Sequence, residues 1–289
     1  MAVCERYGVQ SPYSDPGRWA HLFDEVGAGV AEVVRVVRGL VVHYRASGLE
    51  WSPERLAEVD TRWVERALAL DQRRGGGALA LARAPRERLV GCCRDFTLLA
   101  VSMLRHQGVA ARSRVGFASY LREGFWCDHV VVELWDGGRW VVADAQLEPG
   151  GYGFDTMDVP VRWGGVGGWF ASAAAVWSAH RAGRVDVERF GVDPDLPLRG
   201  EWLVADYVLR ELAHRRCEEL LLWDCWGVMG PGRDLGLVDE VAALLLAADG
   251  GCGSAEEELA SWYGRDGRLR PQGWVECVSP SGRSERVVL

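Results

Sequence analysis

Positive charge is in short supply in this sequence. Acidic residues outnumber basic ones by 41 to 33, and the formal net charge is -8. Nucleic acids and anionic lipid surfaces attract proteins through positively charged patches, so neither is expected to be the main partner. The acidic balance instead favours a small-molecule or peptidyl ligand.

Long apolar segments are also missing. No uninterrupted apolar run reaches about 18 residues, the length that a membrane-spanning helix needs, so no membrane contact is expected. The segment from Met1 to Pro16 has acidic and polar residues where a signal peptide has a basic start and an apolar core. The sequence therefore predicts a cytoplasmic protein.

The cysteines lack the spacing of a metal site. Eight of them are scattered along the chain with no C-x-x-C pair. His214 and Cys217 lie three apart on a predicted helix and could in principle share a metal, but ligand sets usually have more members. We predict that most cysteines are free thiols, and we predict neither a metal nor another cofactor.

Apolar periodicity predicts an α+β fold in which helices precede and follow a block of strands. Asp136-Gly137-Gly138 is typical of a tight hairpin between two of these strands. Helices are predicted at 18–44, 53–71, 93–106, 169–182, 201–222, 235–248 and 256–263, and strands at 110–119, 129–135, 139–145, 274–278 and 286–289.

The chain is long enough for a catalytic core with a helical extension. We expect a core with N-terminal helices at 1–160, an all-helical extension at 161–250, and a tail with a short helix and strand-like pieces at 251–289. The glycine-rich and aromatic stretch at 150–168 is expected to cross the surface as a loop.

One candidate for each part of a thiol-enzyme triad lies in the block of strands and the helix before it. Cys93 begins a predicted helix, where the helix dipole favours a thiolate. His129 opens one arm of the hairpin and Asp144 lies near the end of the other. Counting outward from Gly137 sets residue 129 opposite 145, so a bulge or a different turn length would be needed to align Asp144 with the histidine.

The residues around this candidate triad resemble a known family. The segment 91–96, Gly-Cys-Cys-Arg-Asp-Phe, is similar to the nucleophile helix of bacterial transglutaminase-like proteins. The segments 128–133 and 138–144 are similar to that family's histidine and aspartate strands. The resemblance implies a papain-like fold and a thioester intermediate, but not the direction of the reaction.

Cys92 competes with Cys93 for the role of nucleophile. The family pattern has the active cysteine directly before Arg-Asp-Phe, which selects Cys93. Many relatives have Ala-Trp where this sequence has Val130-Val131. The resemblance therefore does not define the pocket wall beside His129. The resemblance also implies that the backbone N–H of Cys93 and one upstream donor form an oxyanion hole, for which Trp51 or Trp63 is a candidate.

Substrate contacts are expected next to the triad. Trp126, Asp128, Cys92 and Cys127 are candidate substrate-binding residues, although packing is the commoner role for a cysteine such as Cys127. The leading hypothesis is acyl transfer that forms or exchanges an amide on a small-molecule or peptidyl acyl donor, with an amine as the candidate acceptor. A peptidase or amidase that only hydrolyses, and a binding module that has lost turnover, are the alternatives. The sequence leaves the oligomeric state open.

Overall fold

The computed structural model describes residues 2–230 and 232–289, and the side chains of residues 2–4, including Cys4, lie outside that description. The α-helices are α1 (Ala2–Tyr7), α2 (Val30–Leu40), α3 (Pro53–Leu56), α4 (Val64–Arg73), α5 (Cys93–His106), α6 (Ala173–Arg181), α7 (Glu201–Arg215), α8 (Leu235–Asp249) and α9 (Gly253–Arg265). Short 3-10 helices lie at Gly17–Phe23, Ala57–Asp60 and Val187–Arg189. The strands are β1 (Val41–His43), β2 (Leu89–Gly91), β3 (Ala111–Arg122), β4 (Phe125–Trp135), β5 (Trp140–Ala143), β6 (Phe170–Ser172), β7 (Phe190–Gly191), β8 (Asp224–Cys225), β9 (Trp274–Val278) and β10 (Ser284–Val288).

The main sheet has the strand order β5-β4-β3-β6 with antiparallel pairing, and β7 runs parallel to the start of β4. Strands β1 and β2 form a parallel pair, and β2 ends just before α5 begins. The C-terminal hairpin of β9 and β10 pairs with β8. The α+β class predicted from the sequence is therefore confirmed.

Helix α5 packs against the main sheet and is buried along most of its length because apolar residues cover more than one face. The hydroxyl of Thr97 donates a hydrogen bond of 2.8 Å to the backbone carbonyl of Val130, which fixes the helix against β4. One hydrophobic core runs from Tyr13 to Val275 and includes residues from all three predicted regions. The helix that begins at Cys93 is thus held in place on the strand that carries His129.

A buried ionic network joins the sheet to the later helices. Arg114 on β3 lies within ion-pair distance of Glu133 on β4, Glu211 on α7 and Asp249 at the end of α8. Buried charges are tolerated only when they are paired, so these contacts fix α7 and α8 relative to the sheet. Among the described residues, no helix combines the length and apolar character needed to cross a bilayer.

Several predictions about helices were wrong. The predicted helix at 53–71 is divided into α3, the 3-10 helix at Ala57–Asp60 and α4, and the one predicted at 201–222 ends at Arg215. The predicted helix at 18–44 is a 3-10 turn followed by α2, because Gly29 takes a φ of 92° that interrupts the helix. The segment 161–250 is not all helical, since β6 and β7 join the main sheet and β8 joins the C-terminal hairpin. These strands are two or three residues long, too short to produce a periodic pattern in the sequence. The boundaries at 160 and 250 remain predictions.

Candidate active site

Cys93 is the first residue of α5, and the side chain of Arg94 anchors this end of the helix. The buried guanidinium donates to the backbone carbonyls of Arg62 at 2.6 Å and Glu219 at 3.0 Å, and it pairs with Asp95. Hydrogen bonds from a charged group contribute roughly 1.5–3 kcal/mol each. The Arg-Asp pair that follows the cysteine in the sequence therefore has a structural purpose, which is to hold the helix start in place.

The backbone turn before Cys93 is closed by Asp95. Its Oδ2 accepts a hydrogen bond of 2.8 Å from the backbone N–H of Cys92. A Cβ atom on Gly91 would lie 2.7 Å from the same oxygen, so a larger residue there would displace the carboxylate. The first N–H groups of a helix have no partner within the helix, so Cys93 occupies a position where backbone dipoles favour an anion.

His129 and Asp144 meet because of the hairpin register. Residues 136–139 form the turn between β4 and β5, and extending the ladder by one pair sets Val131 opposite Asp144. His129 lies two residues from Val131 on the same strand and therefore points to the same face. The Nε2 atom of His129 is 2.7 Å from Oδ2 of Asp144. The predicted register, with residue 145 opposite 129, was wrong by one residue, and this shift brings Asp144 to the face of the histidine.

Asp144 is buried and has further hydrogen-bond donors. The hydroxyl of Tyr120 donates to Oδ2 at 2.6 Å, and the backbone N–H of Gln146 donates to Oδ1 at 2.9 Å. The backbone N–H of Asp144 itself donates to the carbonyl of Thr156 at 2.8 Å. Both carboxylate oxygens are thus occupied, which fixes the orientation of the side chain toward His129.

The electrostatics of the site favour a thiolate and an imidazolium. Hydrogen bonds from the Cys92 thiol and from His129 lower the pKa of Cys93 to about 7, against the opposing effect of burial. Burial by itself would lower the pKa of His129, but the charge of Asp144 and hydrogen bonds to Asp144 and Cys93 raise it well above its ordinary value. Since Nε2 contacts Asp144, Nδ1 is the nitrogen that remains for Cys93. The charge of His129 in turn keeps the pKa of Asp144 low despite burial.

Cys93 and His129 line a cavity of about 740 Å³. Its other walls come from β1 with the residues after it, from α7, and from the segments around 192–203, 222–225 and 278–280. The cavity is therefore completed by parts of the chain that lie far beyond the triad in the sequence. Its volume is in the range of pockets that bind small organic molecules.

Three of the four predicted substrate-binding residues line this cavity: Cys92, Cys127 and Asp128. The structure does not bring Trp126 into the cavity lining. Its ring stacks on Phe190 at a centroid distance of 5.6 Å, because β7 pairs with β4 at this point. A packing contact replaces the predicted substrate contact.

The candidates for the second oxyanion donor were wrong. The indole N–H of Trp51 donates to the backbone carbonyl of Tyr44 at 3.2 Å, so it is already used. Trp63 stacks on Tyr13 and borders a different, smaller pocket. Neither tryptophan lines the cavity that contains Cys93.

Sequence reasoning missed four residues around the site: His43, Tyr120, Tyr207 and Arg210. His43 was interpreted as a residue of a predicted helix, but it ends β1 and lines the cavity, where burial lowers its pKa to about 4 and keeps the ring neutral. Tyr207 and Arg210 belong to α7, and the hydroxyl of Tyr207 donates to Asp128. The contacts of these residues depend on packing between distant segments, which no local pattern reveals.

Within the described ranges, no group of three or more histidine, cysteine, aspartate or glutamate residues is arranged to hold a metal ion.

Residues 54–145 match the family model of the transglutaminase-like superfamily, and the resemblance noted in the sequence is confirmed over this segment. A search of curated proteins found no significant match. The chain is also similar to a Cytophaga hutchinsonii crystal structure described only as that of a candidate cysteine protease, with 18% identity and a TM-score of 0.34. The similarity covers 50% of this chain and 43% of the Cytophaga hutchinsonii chain. The match therefore spans less than half of the length of the Cytophaga hutchinsonii protein.

Proposed function

We propose that this protein is a cysteine-dependent acyltransferase that works through a thioester, a proposal supported by the match of residues 54–145 to the family model of the transglutaminase-like superfamily. Cys93 is the nucleophile, His129 carries the proton and Asp144 orients the imidazole. The observation that most supports this proposal is the 2.7 Å contact of His129 with Asp144, beside a cysteine with a pKa of about 7 in the same cavity.

The first half of the reaction forms the thioester. The Cys93 thiolate attacks the acyl carbonyl carbon, a C–S bond forms, and the carbonyl oxygen becomes negatively charged. The backbone N–H of Cys93 is available to stabilise this oxygen. When the intermediate collapses, the bond to the leaving group breaks, and the His129 imidazolium donates its proton to a leaving amine.

The second half transfers the acyl group. His129, now neutral, takes a proton from an incoming amine or water, which attacks the thioester carbonyl, and the C–S bond breaks to return the thiolate. An amine acceptor gives an amide, and water gives a carboxylic acid. The chain contains no lysine, so a transferred acyl group cannot end on a lysine of this protein itself.

A test uses 4-nitrophenyl hexanoate as an activated acyl donor. We expect the wild-type protein to release 4-nitrophenolate, and we expect acid quenching to trap a hexanoyl adduct whose fragmentation mass spectrum places it on Cys93. The variant Cys93→Ala should form no adduct. The variant Cys127→Ala is a matched control, because burial raises the pKa of this cavity thiol to about 12 and leaves it protonated.

Addition of methylamine decides between transfer and hydrolysis. N-methylhexanamide as the main product supports acyl transfer, whereas hexanoic acid alone indicates a hydrolytic enzyme, a peptidase or amidase. A protein that forms no adduct, and whose Cys93 titrates at the ordinary cysteine pKa of about 8.5, would be a binding module, and the proposal would be wrong.

A further inference from the structure

Arg210 is a buried cation on the wall of the same cavity. Its side chain lies on α7, and the residue is 4% exposed. Nη2 donates to the backbone carbonyl of Asp224 at 3.0 Å and lies 3.8 Å from the sulfur of Cys225. Nε is enclosed without a hydrogen-bond partner, and Nη1 forms no hydrogen bond with any residue that the structure describes.

The other buried arginines of the described chain are paired with carboxylates. Arg62 pairs with Asp224 at 2.6 Å, and Arg114 pairs with Asp249 at 2.6 Å. Each of the remaining buried arginines also has a carboxylate partner: Arg83, Arg94, Arg105, Arg112 and Arg215. Arg210 has no carboxylate within 4.0 Å among the residues of 2–230 and 232–289. Removing an ion from water costs several kcal/mol unless a partner compensates, so this exception calls for a partner from outside the chain.

The acidic residue that shares the wall does not serve as that partner. Asp128 accepts a hydrogen bond from the hydroxyl of Tyr207, and the guanidinium carbon of Arg210 lies 5.1 Å from the centroid of the Tyr207 ring. Burial raises the pKa of Asp128 against the lowering effects of the Tyr207 hydrogen bond and of the charges of His129, Arg45 and Arg210. The other arginine of the lining, Arg45, is already paired with Asp193 at 2.9 Å.

Three exposed apolar side chains border the cavity. Leu198 is 42% exposed, Trp202 is 41% exposed and Val278 is 59% exposed, and all three belong to the cavity lining. Exposed apolar side chains and one unpaired cation in the same cavity suit an organic molecule that has an apolar body and one anionic group. A single guanidinium matches a carboxylate in charge and in planar geometry.

The geometry points to Arg210 as the binding group for a carboxylate carried by one of the two reactants of the proposed acyl transfer. This inference rests on the proposed function, which assigns Cys93 as the nucleophile. The carboxylate belongs to the acyl donor or to the amine acceptor, and the two sources are separated below.

The donor arm compares mono-4-nitrophenyl adipate with 4-nitrophenyl hexanoate, which have the same chain length and differ in a terminal carboxylate. Rates are corrected with Cys93→Ala. If the carboxylate lies on the donor, kcat/KM should favour the adipate ester by about 10- to 100-fold, the range of a hydrogen bond to a charged group. The acceptor arm compares glycine with glycinamide as the amine that attacks the hexanoyl enzyme, and a preference for glycine in this arm alone assigns the carboxylate to the acceptor.

In Arg210→Met, the ratio of kcat/KM between the two esters and the ratio of rates between the two amines should both lie close to one. Arg210→Lys should keep part of the wild-type preference because the charge remains. Arg45→Met is the matched control, since its charge is already paired, and the preferences should stay within twofold of wild type. Circular dichroism shows whether each variant folds. A wild-type protein that cleaves both esters equally and accepts both amines equally would overturn the inference, whatever the variants do.

A binding measurement separates this inference from the proposed function. Adipamate and hexanamide are titrated into Cys93→Ala, with tryptophan fluorescence as the signal because Trp202 and Trp223 line the cavity. If the carboxylate lies on the donor, adipamate should bind at least tenfold more tightly than hexanamide, and adding Arg210→Met should remove the difference. If it lies on the acceptor, the two amides should bind equally and the glycine preference of the reaction should be the signal that Arg210→Met removes. If adipamate binds more tightly while wild type forms no acyl adduct, the carboxylate site stands and the proposed function fails. If adipamate gains nothing and neither reaction arm shows a preference, the site is rejected while Cys93-dependent acylation stands.

Discussion

Tyr120 and His129 donate hydrogen bonds to the same oxygen of Asp144, at 2.6 Å and 2.7 Å. The two rings meet edge to face with their centroids 5.9 Å apart. Burial and the charge of Asp144 raise the pKa of Tyr120 well above its ordinary value, so the hydroxyl stays protonated and remains a donor. Tyr120 therefore supports the orientation of Asp144 from outside the cavity lining that includes Cys93 and His129.

Tyr120→Phe should reduce kcat/KM for 4-nitrophenyl hexanoate by about tenfold, because one hydrogen bond to a charged group is lost. Loss of this donor also raises the pKa of Asp144, which makes it a weaker partner for the imidazolium. Kinetics at several pH values measure both effects. Tyr152→Phe is the matched control, since Tyr152 packs against Tyr120 and its hydroxyl has no hydrogen bond in the described part of the chain. Equal losses in the two variants would contradict the positioning role of Tyr120.

The rate of Cys93 alkylation by iodoacetamide should rise with pH around a midpoint of about 7, because the thiolate is the reacting form. In Asp144→Asn the charge that raises the pKa of His129 is removed, so the imidazolium is less populated and stabilises the thiolate less. The midpoint should therefore move upward, toward the ordinary cysteine value of about 8.5. An unchanged midpoint in this variant would show that the imidazole is not coupled to the cysteine.

Cys92 should act as a hydrogen-bond donor to Cys93 and should not react itself. The hydrogen bond to Cys93 and burial raise the pKa of Cys92 well above its ordinary value. Cys92→Ala should keep the adduct on Cys93 while moving the midpoint of alkylation upward. Cys92→Ser retains a donor and should move the midpoint less. Peptide mapping of the wild-type adduct provides the decisive measurement, and an adduct on Cys92 would reverse the assignment of the nucleophile.

Arg114→Met should lower the free energy of unfolding by about 3–5 kcal/mol, since it leaves the buried Glu211 without an ion-pair partner. Glu133 and Asp249 keep Arg112 and Arg215 as partners. Glu211 is the most affected, because burial and the charge of Asp249 raise its pKa to about 7 even with the guanidinium of Arg114 nearby. Urea unfolding followed by circular dichroism gives the difference. Arg286→Met removes an exposed pair with Glu276 and should cost less than about 1 kcal/mol. A loss for Arg114→Met as small as that of the control would show that the network does not hold the later helices on the sheet.

Local patterns in the sequence predicted the bounds of two elements, one of which begins with Cys93. The helix expected at 93–106 has these bounds, and the strand expected at 274–278 does as well. Both have an apolar pattern bounded by glycine or by polar residues, and their ends are decided within a few residues of chain. The extra strand length at the start of β4 was missed because Phe125 to Asp128 pairs partly with β3 and partly with β7.

The hairpin shows where a local pattern stops being sufficient. Asp136-Gly137-Gly138 identified the turn, but the turn length decided which face Asp144 occupies. The observed turn at 136–139 pairs Trp135 with Trp140, whereas a turn centred on Gly137 would shift the pairing by one residue. A shift of one residue moves a side chain to the opposite face of the sheet. The hydrogen bond of His129 with Asp144 depends on that choice.

By itself, the sequence determined the α+β class, the cysteine at the start of a helix, and the order in which histidine and aspartate follow it, because each of these depends on neighbouring residues. Only the tertiary structure decided that Tyr120 holds Asp144, that Trp126 packs on Phe190, and that α7 places Arg210 on the cavity wall. These contacts join residues tens of positions apart. They form because apolar burial drives the helices onto the sheet, and burial of charge then requires each polar group to find a partner wherever the fold brings one.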